Sequence, residues 1–324
     1  MPKNRVLITG SAGFIGFHLS KYFLDNKFSV IGIDNLNDYY SVKLKISRNN
    51  ILKKYNNYKF YKSDIINKDK IFRIFKENKI DFVINLAAQA GVQYSLKNPF
   101  VYVKTNILGF LNIIEASKKY KVKKILYASS SSIYGSNKIF PFKENQKTDN
   151  PISLYAATKK SNELIANVYS YIFKIKFIGL RFFTVYGPWG RPDMSLFIFT
   201  KNILNNKKIV VYNKGNMFRD FTYIDDIVDV VYRLAISKKI KKSFNIFNIG
   251  GSRSIRLNKY INLIEKYTNK KAKKIYKEKL KSDVEKTLSN TQNLKKVIQK
   301  EKYTKVESGI QNFISWYKKY YKVK

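Results

Sequence analysis

The chain has 324 residues, a formal net charge of +41 and no cysteine. Its length is sufficient to bury a large core, whereas the lack of cysteine excludes disulfide scaffolds, thiol nucleophiles and thiolate metal sites, and fits a cytoplasmic location. The single histidine, His18, makes a metal centre or a Ser-His-Asp triad improbable, so no metal site is predicted.

The positive charge is spread along the whole chain, together with abundant Asn, Ile, Tyr and Phe, a bias that A/T-rich codons alone would produce. We therefore expect no specific nucleic-acid binding, only nonspecific adhesion to polyanions at low salt and attraction of anionic substrates. No apolar run approaches the roughly 18 residues that a membrane span needs. The N-terminal stretch, which has spaced glycines and no cleavage site, is expected to belong to the mature fold.

Over about the first 125 residues, short apolar runs alternate with amphipathic stretches, which predicts a parallel sheet covered by helices on both faces. The predicted strands are RVLITG, FSVIGID, YKFYKSDI, FVINLAA, KKILYASS and FIGLRFFTVYG, with helices from about Pro99 to Tyr120 and over 152–173. After Gly187 we expect helices at 195–205 and 224–237, short strands at KKIVVYN, RDFTYIDD and SFNIFNIG, and an amphipathic helix near GIQNFISWYKKYY.

A glycine motif, TGSAGFIG, lies between the first predicted strand and helix. Gly10 allows a tight turn, Gly13 lets backbone N–H groups approach a pyrophosphate, and Gly16 lets the helix pack closely on the strand. Asp34 follows Gly16 by 18 residues, at the end of the second strand, where a carboxylate accepts hydrogen bonds from a ribose diol. Because Asp34 would repel a 2′-phosphate and the next basic residue is Lys43, the sequence favours NAD over NADP.

A second motif, SLYAATKK, places Tyr155 and Lys159 one turn apart on one helix face. A free phenol has a pKa of about 10, but a nearby ammonium group and an oxidised nicotinamide ring favour the phenolate, so Tyr155 is a candidate proton acceptor for a substrate hydroxyl. Taken alone, this common spacing favours the alternative of a surface tyrosine and a solvated lysine.

Tyr155 lies 25 residues after Ser130, in YASSSSIYG, and this combination resembles the extended short-chain dehydrogenase/reductase family of nucleotide-sugar epimerases and dehydratases over essentially the whole chain. The resemblance implies that Ser130 hydrogen-bonds the reacting hydroxyl, Tyr155 is the acid/base and Lys159 holds the nicotinamide ribose. The implied catalytic residues are therefore Ser130, Tyr155 and Lys159. The implied cofactor-binding set is Gly10, Gly13, Phe14, Ile15, Gly16, Asp34, Asn35, Asp64, Ile65, Leu86, Ala87, Ala88, Thr105, Asn106, Tyr155 and Lys159.

The serines after Ser130 narrow the reaction within this family. Dehydratases carry an Asp-Glu pair at the places of Ser131 and Ser132, decarboxylases carry a glutamate at Ser132, and 3,5-epimerases carry a cysteine there. Hydroxyl groups orient an oxygen but do not move a proton at carbon. The resemblance therefore implies a 4-epimerase that oxidises sugar C4 transiently with recycled NAD.

Three stretches resemble the UDP-glucuronate 4-epimerases: 32–45, 85–95 and 180–194. This likeness implies that Thr184 and Arg191, with the serines at 131–132, surround the substrate carboxylate, since a carboxylate prefers a fixed guanidinium and hydroxyl donors. A solvated loop position is the alternative for Arg191.

At the nucleotide end, the resemblance places Tyr212 against uracil, Arg219 at the diphosphate and Asp283 at the ribose. An ion pair of Arg219 with Asp220 or Asp225 is the alternative. The sequence differs from the family at three places. Asn85 and Gln93 are found where the family has His and Arg, and the stretch 277–283, KEKLKSD, lacks the usual Pro-Gly. The first two are expected to bear on sugar orientation.

The sequence therefore predicts a Rossmann-type doubly wound parallel sheet with a smaller C-terminal substrate-binding part. NAD binding is expected in 1–184 and 223–253, and nucleotide-sugar binding in 185–222 and 254–324. The expected partners are a UDP-sugar and a second copy of the chain, joined through helices near 99–120 and 152–173. A 4-epimerase of neutral or N-acetylated UDP-hexoses, a cofactor-sensing regulator without turnover and a basic-patch adaptor are the alternatives.

Overall fold

The structure is a computed structural model that describes residues 4–280, 283–300 and 302–323. Its strands are β1 (Arg5–Thr9), β2 (Ser29–Asp34), β3 (Tyr58–Lys62), β4 (Phe82–Asn85), β5 (Lys124–Ser130), β6 (Lys176–Phe182), β7 (Thr184–Tyr186), β8 (Lys208–Tyr212), β9 (Phe218–Tyr223), β10 (Phe244–Ile249), β11 (Ser254–Arg256) and β12 (Lys273–Lys277). Its α-helices are α1 (Phe14–Asp25), α2 (Val42–Leu52), α3 (Lys68–Glu77), α4 (Tyr94–Lys97), α5 (Pro99–Tyr102), α6 (Phe110–Lys119), α7 (Leu154–Phe173), α8 (Ser195–Leu204), α9 (Ile224–Ile236), α10 (Leu257–Thr268), α11 (Gln292–Val297) and α12 (Val306–Tyr321).

Seven parallel strands form the main sheet, in the order β10-β6-β5-β4-β1-β2-β3. The order reverses between β1 and β4, as in dinucleotide-binding folds, which leaves a crevice at the carboxyl ends of these strands. The predicted doubly wound α/β fold is therefore confirmed.

The main sheet separates two apolar cores, because successive side chains of a strand point to opposite faces. On β1, Val6 and Ile8 enter one core and Leu7 enters the other. Helices α1 and α9 contribute to the first core, and α3, α6 and α7 to the second. Burial on both faces explains why these strands read as continuous apolar runs.

Two smaller sheets extend the carboxyl edge of the main sheet, one in the order β11-β9-β7 and the other pairing β12 with β8. The single strand predicted at FIGLRFFTVYG is wrong, because this stretch forms β6 and β7 in different sheets. Phe182 pairs with Ile249 in the main sheet, whereas Thr184 pairs with Phe221 in the smaller one. The crossing at Phe183 brings Thr184 to the crevice.

The helix predicted from Pro99 to Tyr120 is interrupted by a π-helical segment, Val103–Gly109, between α5 and α6. Likewise, the strand predicted at RDFTYIDD ends at Tyr223, and α9 begins at the next residue. One apolar core continues from the main sheet to α12, and the predicted division into two binding domains stays a prediction. Among the described residues, no helix has the length and apolar character needed to cross a membrane.

Candidate active site

A cavity of about 620 Å³ lies at the carboxyl ends of the parallel strands. Its volume is within the range of small-molecule and cofactor sites. Every residue that the sequence singled out for cofactor, substrate or catalysis lines this cavity, except Asn106. The fold therefore gathers into one place residues that are up to 273 positions apart in the chain, from Gly10 to Asp283.

The glycine turn between β1 and α1 forms one wall of the cavity. Gly10 has φ +70°, and a Cβ atom there would lie 2.9 Å from the Ala87 backbone nitrogen. A Cβ atom on Gly16 would lie 2.0 Å from the Gly10 carbonyl oxygen, and one on Gly13 would lie 2.9 Å from it. No side chain fits at these positions, so bare backbone at the start of α1 faces the cavity, as a pyrophosphate requires.

Asp34 ends β2 beside this turn and is almost fully buried. Its carboxylate accepts hydrogen bonds from the backbone N–H groups of Ala12, at 3.1 Å, and Leu36, at 2.8 Å. Burial raises the pKa of Asp34, and these N–H donors and the positive charge of Lys45 oppose that rise. The carboxylate is thus fixed at the place where the sequence predicts ribose recognition.

The sequence analysis treated the basic residues after Asp34 as distant from it, and the structure shows that this is wrong for Lys45. Helix α2 folds back over the turn, so Lys45 lines the same cavity. Its ammonium group donates to the Asn37 carbonyl, at 2.7 Å, and to the Asn37 side-chain oxygen, at 2.6 Å. Sequence separation alone did not reveal this position, because Lys45 is brought back towards Asp34 by α2, a helix whose first turn is capped by the Ser41 side chain.

Two further cofactor predictions concern strand ends and the π-helical segment. The Asn35 amide donates to Asp64 Oδ2 at 2.7 Å, so these two predicted residues orient each other. Thr105 lines the cavity, but Asn106 is buried beside it. Asn106 accepts from the Gln89 backbone N–H at 2.8 Å and donates to the Gln89 carbonyl at 3.0 Å. We therefore assign Asn106 to positioning of the loop after β4.

The proposed catalytic residues meet where β5 ends and α7 begins. Lys159 is buried and donates from Nζ to the Ala128 carbonyl at 2.9 Å. Burial lowers the pKa of Lys159 to about 7. Burial raises the pKa of Tyr155, whereas the hydrogen bond with the Ser130 side chain and the charge of Arg191 lower it. A phenol in these surroundings can exchange a proton with a bound hydroxyl group.

The serine run forms a short 3-10 turn over Ser131–Tyr134 that faces the cavity. The Ser130 hydroxyl donates to Ser132 Oγ and accepts from the Ser132 backbone N–H, both at 3.1 Å. Behind the turn, Ser129 donates to the buried Glu163 carboxylate at 2.7 Å, and Glu163 pairs with Arg181 at 2.9 Å. This buried network, which the sequence analysis missed, fixes the end of β5.

The two residues predicted to face a sugar carboxylate approach the cavity from one stretch of chain. Thr184 begins β7, and Arg191 follows in the loop before α8. The alternative of a solvated loop position for Arg191 is wrong, because its side chain is 22% exposed and pairs with Asp193. Tyr39 donates in turn to Asp193 Oδ2 at 3.1 Å.

At the far end of the cavity, Tyr212, Arg219 and Asp283 lie on separate elements. Arg219 Nη2 donates to Asp283 Oδ1 at 2.7 Å, so the fold brings together two residues that the sequence placed at one nucleotide. The alternative partners are wrong for the described residues, because Asp220 is buried and accepts instead from the Ser289 and Gly251 N–H groups. Asp225 lies on α9, away from the cavity.

The two family departures that the structure describes, Asn85 and Gln93, lie outside the cavity lining, and their effect on sugar orientation stays a prediction. Asn85 is buried and accepts from Thr9 Oγ1 at 2.7 Å, so it supports the glycine turn and does not line the cavity. Gln93 is exposed next to α4 and also lies outside the lining. In KEKLKSD, positions 281–282 lie outside the described residues.

Two buried residues behind the site tie its halves together. The Arg48 guanidinium donates to the carbonyls of Ala12, at 2.9 Å, and Trp189, at 2.5 Å. His18 Nε2 lies 2.9 Å from the Pro188 carbonyl, and burial lowers the pKa of His18 to about 4, so the imidazole is neutral at pH 7. His18 was expected to have no catalytic role, and its observed contacts are with the loop that carries Arg191. Its sequence context gave no signal of this contact.

Comparison with known proteins agrees with this geometry. The model of the NAD dependent epimerase/dehydratase family matches residues 6–250. An uncharacterized protein of Methanocaldococcus jannaschii is 51% identical, over 98% of this chain and 97% of its own length. The UDP-glucuronate 4-epimerase of Thermodesulfobacterium geofontis is 44% identical, over 96% of this chain and 95% of its own. The solved UDP-glucuronic acid 4-epimerase of Bacillus cereus, in complex with UDP-glucuronic acid and NAD, aligns with a TM-score of 0.92 at 32% identity, over 98% of this chain and 100% of that one.

Proposed function

The chain belongs to the NAD dependent epimerase/dehydratase family, and we propose on this premise that it interconverts UDP-glucuronate and UDP-galacturonate. The chain is an NAD-dependent nucleotide-sugar 4-epimerase, and the glucuronate relatives support the finer choice of substrate. The observation that carries this choice is that Arg191 lines the same cavity as Tyr155, so that a guanidinium is available to a carboxylate on the sugar.

The residues of the cavity fit NAD. Bare backbone of the glycine turn lies at the start of α1, where it matches a pyrophosphate, and the fixed carboxylate of Asp34 matches a ribose diol. When bound, NAD supplies a reversible hydride acceptor for a sugar carbon. We propose that Lys159, held by the Ala128 carbonyl, orients the nicotinamide ribose and favours the phenolate of Tyr155.

In the proposed reaction, Tyr155 accepts the proton of the sugar 4-hydroxyl group while Ser130 holds that oxygen. Oxidation at C4 gives a 4-keto sugar, which turns over in the site and is reduced on its other face, with Tyr155 returning the proton. Ser131 and Ser132 carry neither a carboxylate nor an imidazole, so this part of the site has no group to remove a proton from carbon. This favours epimerisation over elimination of water.

The substrate carboxylate is proposed to lie between Arg191 and the hydroxyl groups of Thr184, Ser131 and Ser132. This arrangement avoids an opposing carboxylate at the sugar 5-position and keeps the 4-keto acid from losing CO₂. Tyr212, Arg219 and Asp283 are proposed to hold the uridine diphosphate, which stays in place as the pivot while the sugar is released and bound again.

Incubation of the purified protein with UDP-glucuronate and separation of the products tests the proposal. UDP-galacturonate is the expected product. Preferential conversion of UDP-glucose or UDP-N-acetylglucosamine would move the assignment to an epimerase of neutral or N-acetylated hexoses. A UDP-pentose as main product would indicate a decarboxylase, and NAD-loaded protein without turnover would indicate a cofactor sensor.

We also propose that two copies associate through α5, the π-helical segment and α7. These elements carry exposed large apolar side chains, including Phe100 at 75% and Tyr171 at 77% exposure. Exposed apolar patches of this kind mark interaction surfaces in soluble proteins. A dimer by light scattering that dissociates on replacement of Val168, also exposed on α7, by Asp would support this arrangement.

A further inference from the structure

The strongest unexplained feature of the cavity is the pairing of Arg191 with a carboxylate of its own chain. Arg191 Nε donates to Asp193 Oδ1 at 3.0 Å, and Arg191 Nη2 donates to Asp193 Oδ2. The side chains of Arg191 and Asp193 are 22% and 29% exposed, at the mouth of the cavity and not in its interior. A guanidinium paired in this bidentate way is fixed in orientation and partly neutralised before any substrate arrives.

The pair occupies only one edge of the guanidinium. Of its five N–H donors, Asp193 engages those on Nε and Nη2, so the pair leaves the donors on Nη1 unused. The edge formed by Nη1 and the second Nη2 hydrogen therefore remains available to a second carboxylate. Arg191 lines the cavity, so this second partner can be the substrate.

Asp193 is held as an anion by its surroundings. Its pKa is lowered by Arg191 and by the Tyr39 hydroxyl, against the effect of burial. Tyr39 donates to Asp193 Oδ2 at 3.1 Å, and burial together with the Asp193 charge raises the pKa of Tyr39 to about 12, so the phenol keeps its proton. Tyr39 also packs on Tyr94, with ring centroids 4.8 Å apart, which fixes the phenol itself.

We propose that Asp193 is a specificity-determining residue that aims Arg191 at the substrate carboxylate and, as its counter-charge, limits how tightly that carboxylate is held. The proposal rests on the proposed function, in which the sugar end must be released and bound again in every turnover. Without the counter-charge of Asp193, Arg191 would bind the substrate carboxylate more tightly in the ground state and slow that motion. Binding that is equally strong in the ground state and transition state gives no rate advantage.

Asp193→Asn tests this, because asparagine keeps the shape and one acceptor but removes the charge. Asp38→Asn is the control, since Asp38 is an exposed acid in the same loop as Tyr39 and its loss changes the net charge equally. Binding of UDP-glucuronate and UDP-glucose is measured by calorimetry in a Tyr155→Phe background, which prevents turnover during titration.

We expect Asp193→Asn to bind UDP-glucuronate about tenfold more tightly, the size of one partly screened charge interaction, with UDP-glucose binding unchanged. With Tyr155 intact, both KM and kcat for UDP-glucuronate should fall, a split that a general loss of structure does not produce. Unchanged or weaker UDP-glucuronate binding, equal changes for both sugars, or the same change in Asp38→Asn would overturn the proposal.

These outcomes are separate from failure of the proposed function. That failure would be seen in the unmodified enzyme, as turnover of neutral sugars in preference to UDP-glucuronate. The binding difference between Asp193→Asn and Asp38→Asn is measured without turnover, so its outcome does not depend on which sugar the enzyme converts.

Discussion

At the cofactor end of the cavity, the groups that face a ligand are mainly backbone atoms of one strand-turn-helix unit, whereas at the sugar end they are side chains from several separate segments. The glycine turn has no room for side chains, and Asp34 is held by two backbone N–H groups. Arg191 at the sugar end is instead paired with the carboxylate of Asp193, and Arg219 at the nucleotide end with that of Asp283.

This difference indicates how the two ends recognise anions. The groups of the cofactor end are held by close backbone packing and by hydrogen bonds at the edge of the main sheet, and this suits a cofactor that stays bound through turnover. In the proposed function, Arg191 is shared between Asp193 and the substrate carboxylate, and this suits a sugar that has to be released and bound again. Four predictions test this contrast, from the largest expected effect to the smallest.

Tyr155 lies between the two ends, so its loss should stop the chemistry without disturbing either of them. Tyr155→Phe keeps the ring but removes the proton acceptor, and kcat should fall by about 10² to 10⁴-fold, the usual contribution of one general acid/base. Bound NAD, released by heat and measured by absorbance, should equal that of the wild type. Tyr276→Phe, at an exposed position on β12, is the matched control and should keep full activity. Turnover at the wild-type rate in Tyr155→Phe would disprove the acid/base assignment.

The cofactor end should be the more sensitive to a single added methyl group. In Gly16→Ala the new Cβ would lie 2.0 Å from the Gly10 carbonyl oxygen, so the turn must move. We expect the unfolding free energy to fall by about 3 kcal/mol or more, because the backbone has no room to relieve the clash. We also expect the copurified NAD to be lost.

Gly251→Ala is the control for this experiment, because the nearest atom to its added Cβ is 3.5 Å away, which is ordinary contact. Denaturant unfolding and NAD content are measured for both variants. Retention of wild-type NAD content in Gly16→Ala would show that the turn does not form the cofactor site.

At the sugar end, Arg191→Ala should lower kcat/KM for UDP-glucuronate. The loss of transition-state stabilisation should be about 1.5–3 kcal/mol, the range for a hydrogen bond to a charged group. The effect should be confined to acidic sugars, because Asp193 then faces the substrate carboxylate without its counter-charge. NAD content should not change. Some UDP-pentose is expected, since the keto acid is less constrained. Equal losses for UDP-glucuronate and UDP-glucose would contradict carboxylate recognition by Arg191.

The smallest effect concerns the rest of the positive charge. If anions are recognised by the fixed groups of the cavity, mixed-sequence DNA should bind only weakly and lose affinity steeply with added salt. Fluorescence anisotropy with labelled DNA at low and at physiological salt measures this. Tight, sequence-selective binding at physiological salt would instead restore nucleic acid as a specific partner.

The sequence predicted the cofactor end better than the sugar end, for a physical reason. The glycine turn and Asp34 follow from local geometry, because parallel strands end at one edge and a turn without side chains exposes backbone. The helical spacing placed Tyr155 and Lys159 on one face, whereas their catalytic roles came from the family resemblance. Such features depend on residues close in the chain, so their pattern is readable there.

The contacts that the sequence did not predict all join distant segments. Nothing in the chain order indicated that Arg219 would meet Asp283, that Tyr39 would hold Asp193, or that Lys45 would return to the Asp34 side of the cavity. The π-helical segment and the change of sheet at Phe183 were missed as well, because both depend on which neighbours are available for hydrogen bonding in the folded protein.

The sequence by itself thus determined the parallel sheet, the glycine turn and the placing of Tyr155 and Lys159 on one helix face, since hydrophobic period, backbone sterics and helical spacing are local properties. The choice of Ser130, Tyr155 and Lys159 as site residues came from the family resemblance in the same sequence. Only the tertiary structure decided which charges face one another at the sugar end. Coulomb interactions depend on distances in space and on burial, and loops such as the one from Gly187 to Arg191 are positioned by remote residues, here His18 and Arg48.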